Sequence, residues 1–281
     1  MQIAVISPVS HLQYCNYGDI HMSLAHLVMA NLQYAEYYRE ISLDLNQFVI
    51  LDNSAFEFEQ QGIGVTLATI FEAVRRIKPH EVIATDTLFK GPETVESTKA
   101  FIKAIPADLR GTFKIMAVPQ GRSKEEWFTC LEGLLDIPEV TTIGLSKLSI
   151  PSCWEGTHQK SGVVAHSRVE CVRQLSCQWH WADKLHDKEI HLLGGDDWSA
   201  WELYHYRDVE SLKLRSCDSS VTVWYGANNV RFDPNTGTMS QYILEKPDLE
   251  NKNSRTAEYI DINTNNILHN IAVLHRFSKP Q

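Results

Sequence analysis

Short apolar runs that end in a polar or reactive residue recur along the chain: Ile50-Leu51-Asp52, Ile83-Ala84-Thr85-Asp86, Ala117-Val118-Pro119-Gln120-Gly121, Ile143-Gly144-Leu145-Ser146, Leu192-Leu193-Gly194-Gly195 and Leu214-Arg215-Ser216-Cys217-Asp218. Segments with helical spacing of apolar residues separate most of them. Alternation of buried strand with amphipathic helix is the signature of parallel strands joined by helical crossovers, and predicts a (β/α)8 TIM barrel of the α/β class. Strands are expected at residues 3–8, 48–52, 81–86, 113–120, 142–146, 189–194 and 211–218.

Helices are expected over residues 19–38 (Leu24, Leu27, Val28, Leu32), 66–77 (Leu67, Ile70, Phe71, Val74, stopped by Pro79) and 91–105, where Pro92 takes a helix-start position. Another begins at Ser123, with Glu126 completing a capping box, and others at residues 166–175, 198–206 and 263–277, the last with Ile267, Ile271, Val273 and Leu274 on one side. Lys147 to Gly162 contains Pro151, Gly156 and Gly162 without a clear period, and reads as a long loop. Val221 to Tyr225 alternates like an eighth strand but follows its predecessor too closely. The barrel is therefore expected to be irregular at its closing strand, or to be closed by the tail.

A length of 281 residues suits one barrel, so residues 1–281 are expected to form a single domain, with a C-terminal extension from about 226 to 281. An apolar share of 43% supplies a sizeable core, yet no run approaches the roughly 20 residues of a membrane span. Met1 to Ile6 lacks a basic region and reads directly as strand, not as a signal peptide. The six cysteines show no C-x-x-C spacing, so free thiols in the cytoplasm are expected, with no disulfide framework and no cofactor. A net charge of -9 argues against a broadly basic nucleic-acid face but leaves room for a local basic patch.

Strand C-termini of such a barrel point into one mouth, which would gather Asp52, Asp86, Gln120 and Asp218. Asp218 is the candidate nucleophile and Asp52 its catalytic partner, because paired carboxylates serve bonds broken through oxocarbenium-like transition states. The bland alternative is that each aspartate caps the turn or helix that follows it. Lys90, Arg122, Lys147 and Arg215 lie just after strands and are candidate phosphate ligands. Asp19, His21 and His26 follow the first strand, but the histidines are not at the i, i+4 spacing of a helical metal pair, so packed or surface histidines are expected and no metal. Trp154, Trp179, Trp181, Trp198, Trp201 and Trp224 crowd the second half, where burial between helices is the expected role and stacking on unpaired bases the alternative.

Taken together and in order, these motifs resemble the tRNA-guanine transglycosylases. The run Leu51-Asp52-Asn53-Ser54-Ala55-Phe56-Glu57 resembles a family strand ending in Asp-Ser-Gly-Gly-Phe-Gln; Asp86 resembles the base-recognising aspartate, Gln120-Gly121 the Gln-Gly, and Gly144-Leu145 the Gly-Leu whose backbone contacts the base. Glu189 to Gly194 resembles the Tyr-Leu-Met-Gly strand, Asp218 falls at the nucleophile, and His269-Asn270 matches a His-Asn pair. The tRNA enzymes bind a structural zinc through a C-x-C-x-x-C cluster and that histidine, whereas no cysteine follows Cys217 here; His269 is expected to pack or hydrogen-bond. A compact chain without the zinc cluster is more similar to the phage and bacterial relatives that exchange guanine in DNA for a 7-deazaguanine. The resemblance implies base binding by Asp86, Gln120 and the Gly144-Leu145 backbone, attack on C1′ by Asp218, and DNA as partner, with tRNA as the alternative substrate and a free modified purine as possible second substrate. It implies either base exchange or, if water enters, a DNA glycosylase directed at modified bases, as in phage defence; a non-catalytic purine-binding or nucleic-acid-binding barrel is the remaining alternative.

Overall fold

All six of the apolar runs lie on strands or at their ends. The computed structural model describes residues 1–55, 66–158, 160–239 and 264–279. Its strands are β1 (Gln2–Val5), β2 (His21–Leu24), β3 (Val49–Asp52), β4 (Glu81–Ile83), β5 (Lys114–Ala117), β6 (Val140–Ser146), β7 (Glu189–Leu193) and β8 (Lys213–Ser219). They form one eight-stranded sheet in the order β1-β8-β7-β6-β5-β4-β3-β2, parallel at every pairing. A parallel bridge between Ala4 and Ile20 brings the two edges together, and Ile3 O accepts from Asp19 N at 2.7 Å and Ile20 N at 3.3 Å. The chain is a nearly closed (β/α)8 barrel with a C-terminal helix.

Residues 19–38 depart from the single helix expected there. They hold β2, then α1 (Ala25–Ala30) and the start of α2 (Leu32–Leu43). The short strand passes straight into α1, so the helical spacing of Leu24, Leu27 and Val28 runs across a strand–helix junction. Asn31 then interrupts α1 and caps α2, its side chain accepting from Tyr34 N at 3.0 Å. The connection between β1 and β2 is a 3-10 segment, Val9–Tyr17, which makes this seam the irregular part of the barrel. Asp218 consequently lies on the eighth strand, not on the seventh as the sequence pattern suggested.

Val221 to Tyr225, whose alternation resembled a strand too close to its predecessor, belongs to a helix, Val221–Ala227. Parallel strands need a crossover of about a dozen residues, and β8 ends only at Ser219. The other helices are α3 (Leu67–Ile77), α4 (Gly91–Ala104), α5 (Lys124–Leu135), α6 (Ser149–Glu155), α7 (Val163–Cys177), α8 (Trp179–Leu185) and α9 (Ser199–Tyr204), followed by that helix as α10 and by α11 (Thr264–Ser278). Gly226 lets α10 and α11 touch, since a Cβ there would sit 2.6 Å from Ile267 Cα. The expected loop from Lys147 to Gly162 contains α6: Ser146 Oγ accepts from Leu148 N and Ser149 N at 3.1 and 3.2 Å, and Pro151 sits in the first turn, where proline is tolerated. Of the expected C-terminal extension, residues 240–263 and 280–281 lie outside the described residues.

Strand alternation sorts the core into two layers. Ala4, Ile20, Met22, Ile50, Ile83, Met116 and Val118 fill the barrel interior, while Ile3, Leu51, Val82, Ile143, Leu145, Ile190 and Leu192 face the helices. Below the apolar plug lies a polar floor built on the first residues of β4, β5 and β7. Arg215 donates to Glu81 Oε1 and Oε2 at 3.1 and 2.6 Å and to Glu189 Oε2 at 2.8 Å; Lys114 Nζ donates to the same Glu189 oxygen at 3.2 Å and Thr142 Oγ1 to Glu81 Oε1 at 2.5 Å. The pairing register shifts from Ile190↔Leu214 to His191↔Ser216, and this bulge lets both Arg215 and Ser216 reach inward. Arg215 therefore belongs to the floor, at the end opposite the mouth, and is not a phosphate ligand there.

Candidate active site

Asp218 is paired in register with Ala4 near the C-terminal end of β8, and its side chain is 6% exposed. Its Oδ1 accepts from Gly194 N at 2.8 Å and from His191 Nε2 at 3.1 Å. His191 is fully buried, and its Nδ1 lies 2.7 Å from Ser216 Oγ, which also receives Arg215 Nε–H at 3.0 Å. With Arg215 donating to the hydroxyl oxygen, the hydroxyl proton can point to Nδ1, which leaves the imidazole proton on Nε2 facing the carboxylate. A hydrogen-bonded line thus climbs from the floor through Arg215, Ser216 and His191 to Asp218. Burial alone would push the Asp218 carboxyl up, but the His191 contact, the Gly194 N–H and the nearby Lys147 charge outweigh it and hold the group below the ordinary carboxylate range. Asp218 is ionised at neutral pH.

Gly194 shapes this contact. Its φ of +70° is a conformation that favours glycine, and a Cβ would collide with the Lys147 side chain, whose methylenes cover it. Lys147 N donates to Leu193 O at 3.1 Å, so the half-buried lysine sits over the turn that holds Asp218.

Three loops meet around Asp86. Asn53 Nδ2 donates to its Oδ1 at 3.0 Å and Gln120 Nε2 to its Oδ2 at 2.6 Å. Asn53 also donates to Ala84 O at 2.7 Å and accepts from Ala55 N at 2.8 Å, while Gln120, fully buried, accepts from Phe89 N at 3.2 Å. The loops after β3, β4 and β5 are thus tied together by one carboxylate and two amides. Asp52 ends β3, half-buried, and its Oδ1 accepts from Ser54 N at 2.6 Å, so it does form the turn-capping contact of the bland alternative. Ser54 has φ +59°, and its Oγ lies 2.9 Å from His26 Nδ1. Phe56 and Glu57 of that motif lie outside the described residues.

Gly144 faces the barrel interior: a Cβ there would meet Leu193 Cδ1 at 2.6 Å and Val118 Cγ2 at 3.0 Å. Leu145 turns its side chain to the helices, and its carbonyl accepts from Arg168 Nη1 at 3.3 Å. Lys90 and Arg122 are exposed on the loops after β4 and β5. His21 starts β2 at the floor end, bonded to Gln47 Oε1 at 2.7 Å, whereas His26 is in α1 beyond the other end of that strand; the two histidines do not form a pair. His269 Nε2 donates to Phe232 O at 2.9 Å, the hydrogen-bonding role expected of it. Trp181 is buried and stacked on Phe128 at 5.3 Å, Trp154 is edge-on to Trp127 at 5.5 Å, and Trp179 is 81% exposed.

No family model and no curated protein matches this chain. Among the described residues no group of three or more His, Cys, Asp or Glu side chains is arranged to hold a metal ion. Sequence reasoning passed over His191 and Asn53. Each had a local signal: His191 is a polar residue in mid-strand on the same alternation as Glu189 and Leu193, and Asn53 directly follows a strand-ending aspartate.

Proposed function

We propose that this barrel cleaves N-glycosidic bonds in DNA, with Asp218 as nucleophile. The observation that carries the proposal is a buried carboxylate at the C-terminal end of a barrel strand, with one oxygen fixed by His191 and Gly194. Such a group is oriented in advance of the reaction and shielded from water, which suits attack on an anomeric carbon. Asp86, cross-braced by Asn53 and Gln120, presents carboxylate acceptors suited to the N–H edge of a base.

In the first step an Asp218 oxygen bonds to C1′ as the C1′–N bond breaks, and its electron pair leaves with the base. The departing base is held by Asp86 and Gln120, and Asp52, entering the step as the carboxylic acid, gives its proton to the leaving base and is left as the carboxylate. In the second step a base nitrogen or a water oxygen bonds to C1′ as the bond from C1′ to the Asp218 oxygen breaks; the incoming group's proton passes to the Asp52 carboxylate, and the Asp218 carboxylate is freed. The first nucleophile gives base exchange; water gives an abasic site. Either course requires the nucleotide to leave the helical stack. Membrane partners are not part of the proposal, and no helix among the described residues is long and apolar enough to cross a membrane.

The test incubates purified protein with ordinary DNA, heavily modified phage DNA and tRNA, with and without a free 7-deazaguanine, followed by nucleoside mass spectrometry and an abasic-site assay. Base release or exchange on DNA that disappears in folded Asp218→Ala supports the proposal. Activity retained in that variant, or confined to tRNA, overturns it.

A further inference from the structure

Behind β6 and β7 sits an ion pair that the chemistry above does not use. Arg168 of α7 and Glu202 of α9 are each 1% exposed and meet at 2.7 Å, and Tyr206 Oη donates to the other Glu202 oxygen at 2.8 Å. A buried pair of this kind is often no more stabilising than apolar residues of the same volume, so stability does not explain its place. Its geometry offers a reason. Arg168 Nη1 donates to Leu193 O at 3.0 Å and to Leu145 O at 3.3 Å, bridging the C-terminal ends of β7 and β6.

Leu193 C=O and Gly194 N–H are the two ends of one peptide unit. The N–H end donates to Asp218; the C=O end accepts from Arg168 and from Lys147 N. Glycine at φ +70° gives this peptide more freedom to rotate than any other residue would. A flip would turn the N–H away from Asp218 and aim the carbonyl dipole at it. A guanidinium, always charged and donating from a rigid fork, opposes that flip and polarises the peptide toward the carboxylate.

We propose that Arg168, fixed by Glu202 and Tyr206, is a positioning residue that locks the Leu193–Gly194 peptide with its N–H on Asp218. Its consequence for turnover rests on Asp218 being the nucleophile; the lock itself does not. The groups bearing on Asp218 are His191 from β7, the Gly194 N–H, Lys147 from the turn after β6 and the neighbouring Cys217 thiol on its own strand; Arg168 and Glu202, behind the sheet, bear on that thiol.

The test uses the full chain with Arg168→Met combined with Glu202→Gln, which removes both charges and leaves Tyr206 an acceptor, and separately Arg168→Lys. Carboxyl-detected NMR titration of Asp218 reads the lock without any turnover. In the double variant the Asp218 midpoint is expected to rise by about one pH unit, and kcat for base release to fall about tenfold with KM unchanged. Arg168→Lys, which keeps the charge but not the fork that joins Leu193 O to Glu202, should shift both in the same direction by a smaller, measurable amount, and tests the lock by itself if the double variant does not fold. An Asp218 midpoint unmoved in either folded variant overturns the lock. A moved midpoint in a protein whose Asp218→Asn variant still turns over upholds the lock and instead removes Asp218 as nucleophile.

Discussion

Replacing His191 with phenylalanine keeps a flat ring in the barrel but deletes both nitrogens, leaving Asp218 with the Gly194 N–H in a buried site. A hydrogen bond to a charged acceptor is worth about 1.5–3 kcal/mol, and one pKa unit corresponds to about 1.4 kcal/mol. The Asp218 pKa should therefore rise by about 1–2 units in His191→Phe. The sign follows from the native state: the folded value lies below the ordinary 3.8, so this group's contribution to stability is complete above that value and is lost as pH falls through the lower folded one. At neutral pH the variant should unfold more easily by about 1.5–3 kcal/mol through this group, and the deficit should shrink in acid once Asp218 is protonated in both proteins. The acid limb of kcat/KM for base release, measured from about pH 3 to 8, should move up by the same about 1–2 units. An acid limb that stays in place while the variant remains folded would refute the role given to His191.

Arg215→Met leaves Glu81 and Glu189 without their shared guanidinium and should cost about 3–5 kcal/mol in urea unfolding, with no change in the salt dependence of DNA binding. Weaker DNA binding at unchanged stability would return Arg215 to the mouth. Lys147→Ala should weaken binding evenly across DNA sequences and lower the slope of log affinity against log salt by about one, measured by fluorescence anisotropy. An unchanged slope would mean that Lys147 meets no phosphate.

The strands most easily read from the sequence are those whose apolar run is bounded on both sides, such as Val49–Asp52 and Glu189–Leu193. Their ends are also where Asp52, Asp86, Gln120 and Asp218 were sought. β2 escaped because four residues give too little alternation to outweigh the helical spacing that continues into α1. Val221 to Tyr225 alternates like a strand because β-branched residues favour strands in isolation, yet, as its closeness to the preceding strand implied, it does not close the barrel and packs as a helix against α11. Arg215 was misplaced because the bulge at this point of β8 turns two successive side chains inward, which strict alternation does not anticipate. His191 and Asn53 left only a local hint, a polar residue in mid-strand and an amide after a strand-ending aspartate, while their partners and those of Arg168 come from segments distant in the chain, which a one-dimensional pattern does not bring together.

The register that sets Asp218 opposite Ala4 also has a kinetic meaning. β1 and β8 are the first and last strands along the chain, and the N-terminal amine donates to Ser278 O at 3.0 Å. Pairings so far apart in sequence carry a large loop-closure entropy and are expected among the late events of folding. The first strand, although synthesised earliest, must wait for its neighbour until β8 has emerged. A partly folded molecule would thus contain most of the barrel while the strand bearing Asp218 still lacked one flank, so that Asp218 would reach its final setting only when β1 docks on β8.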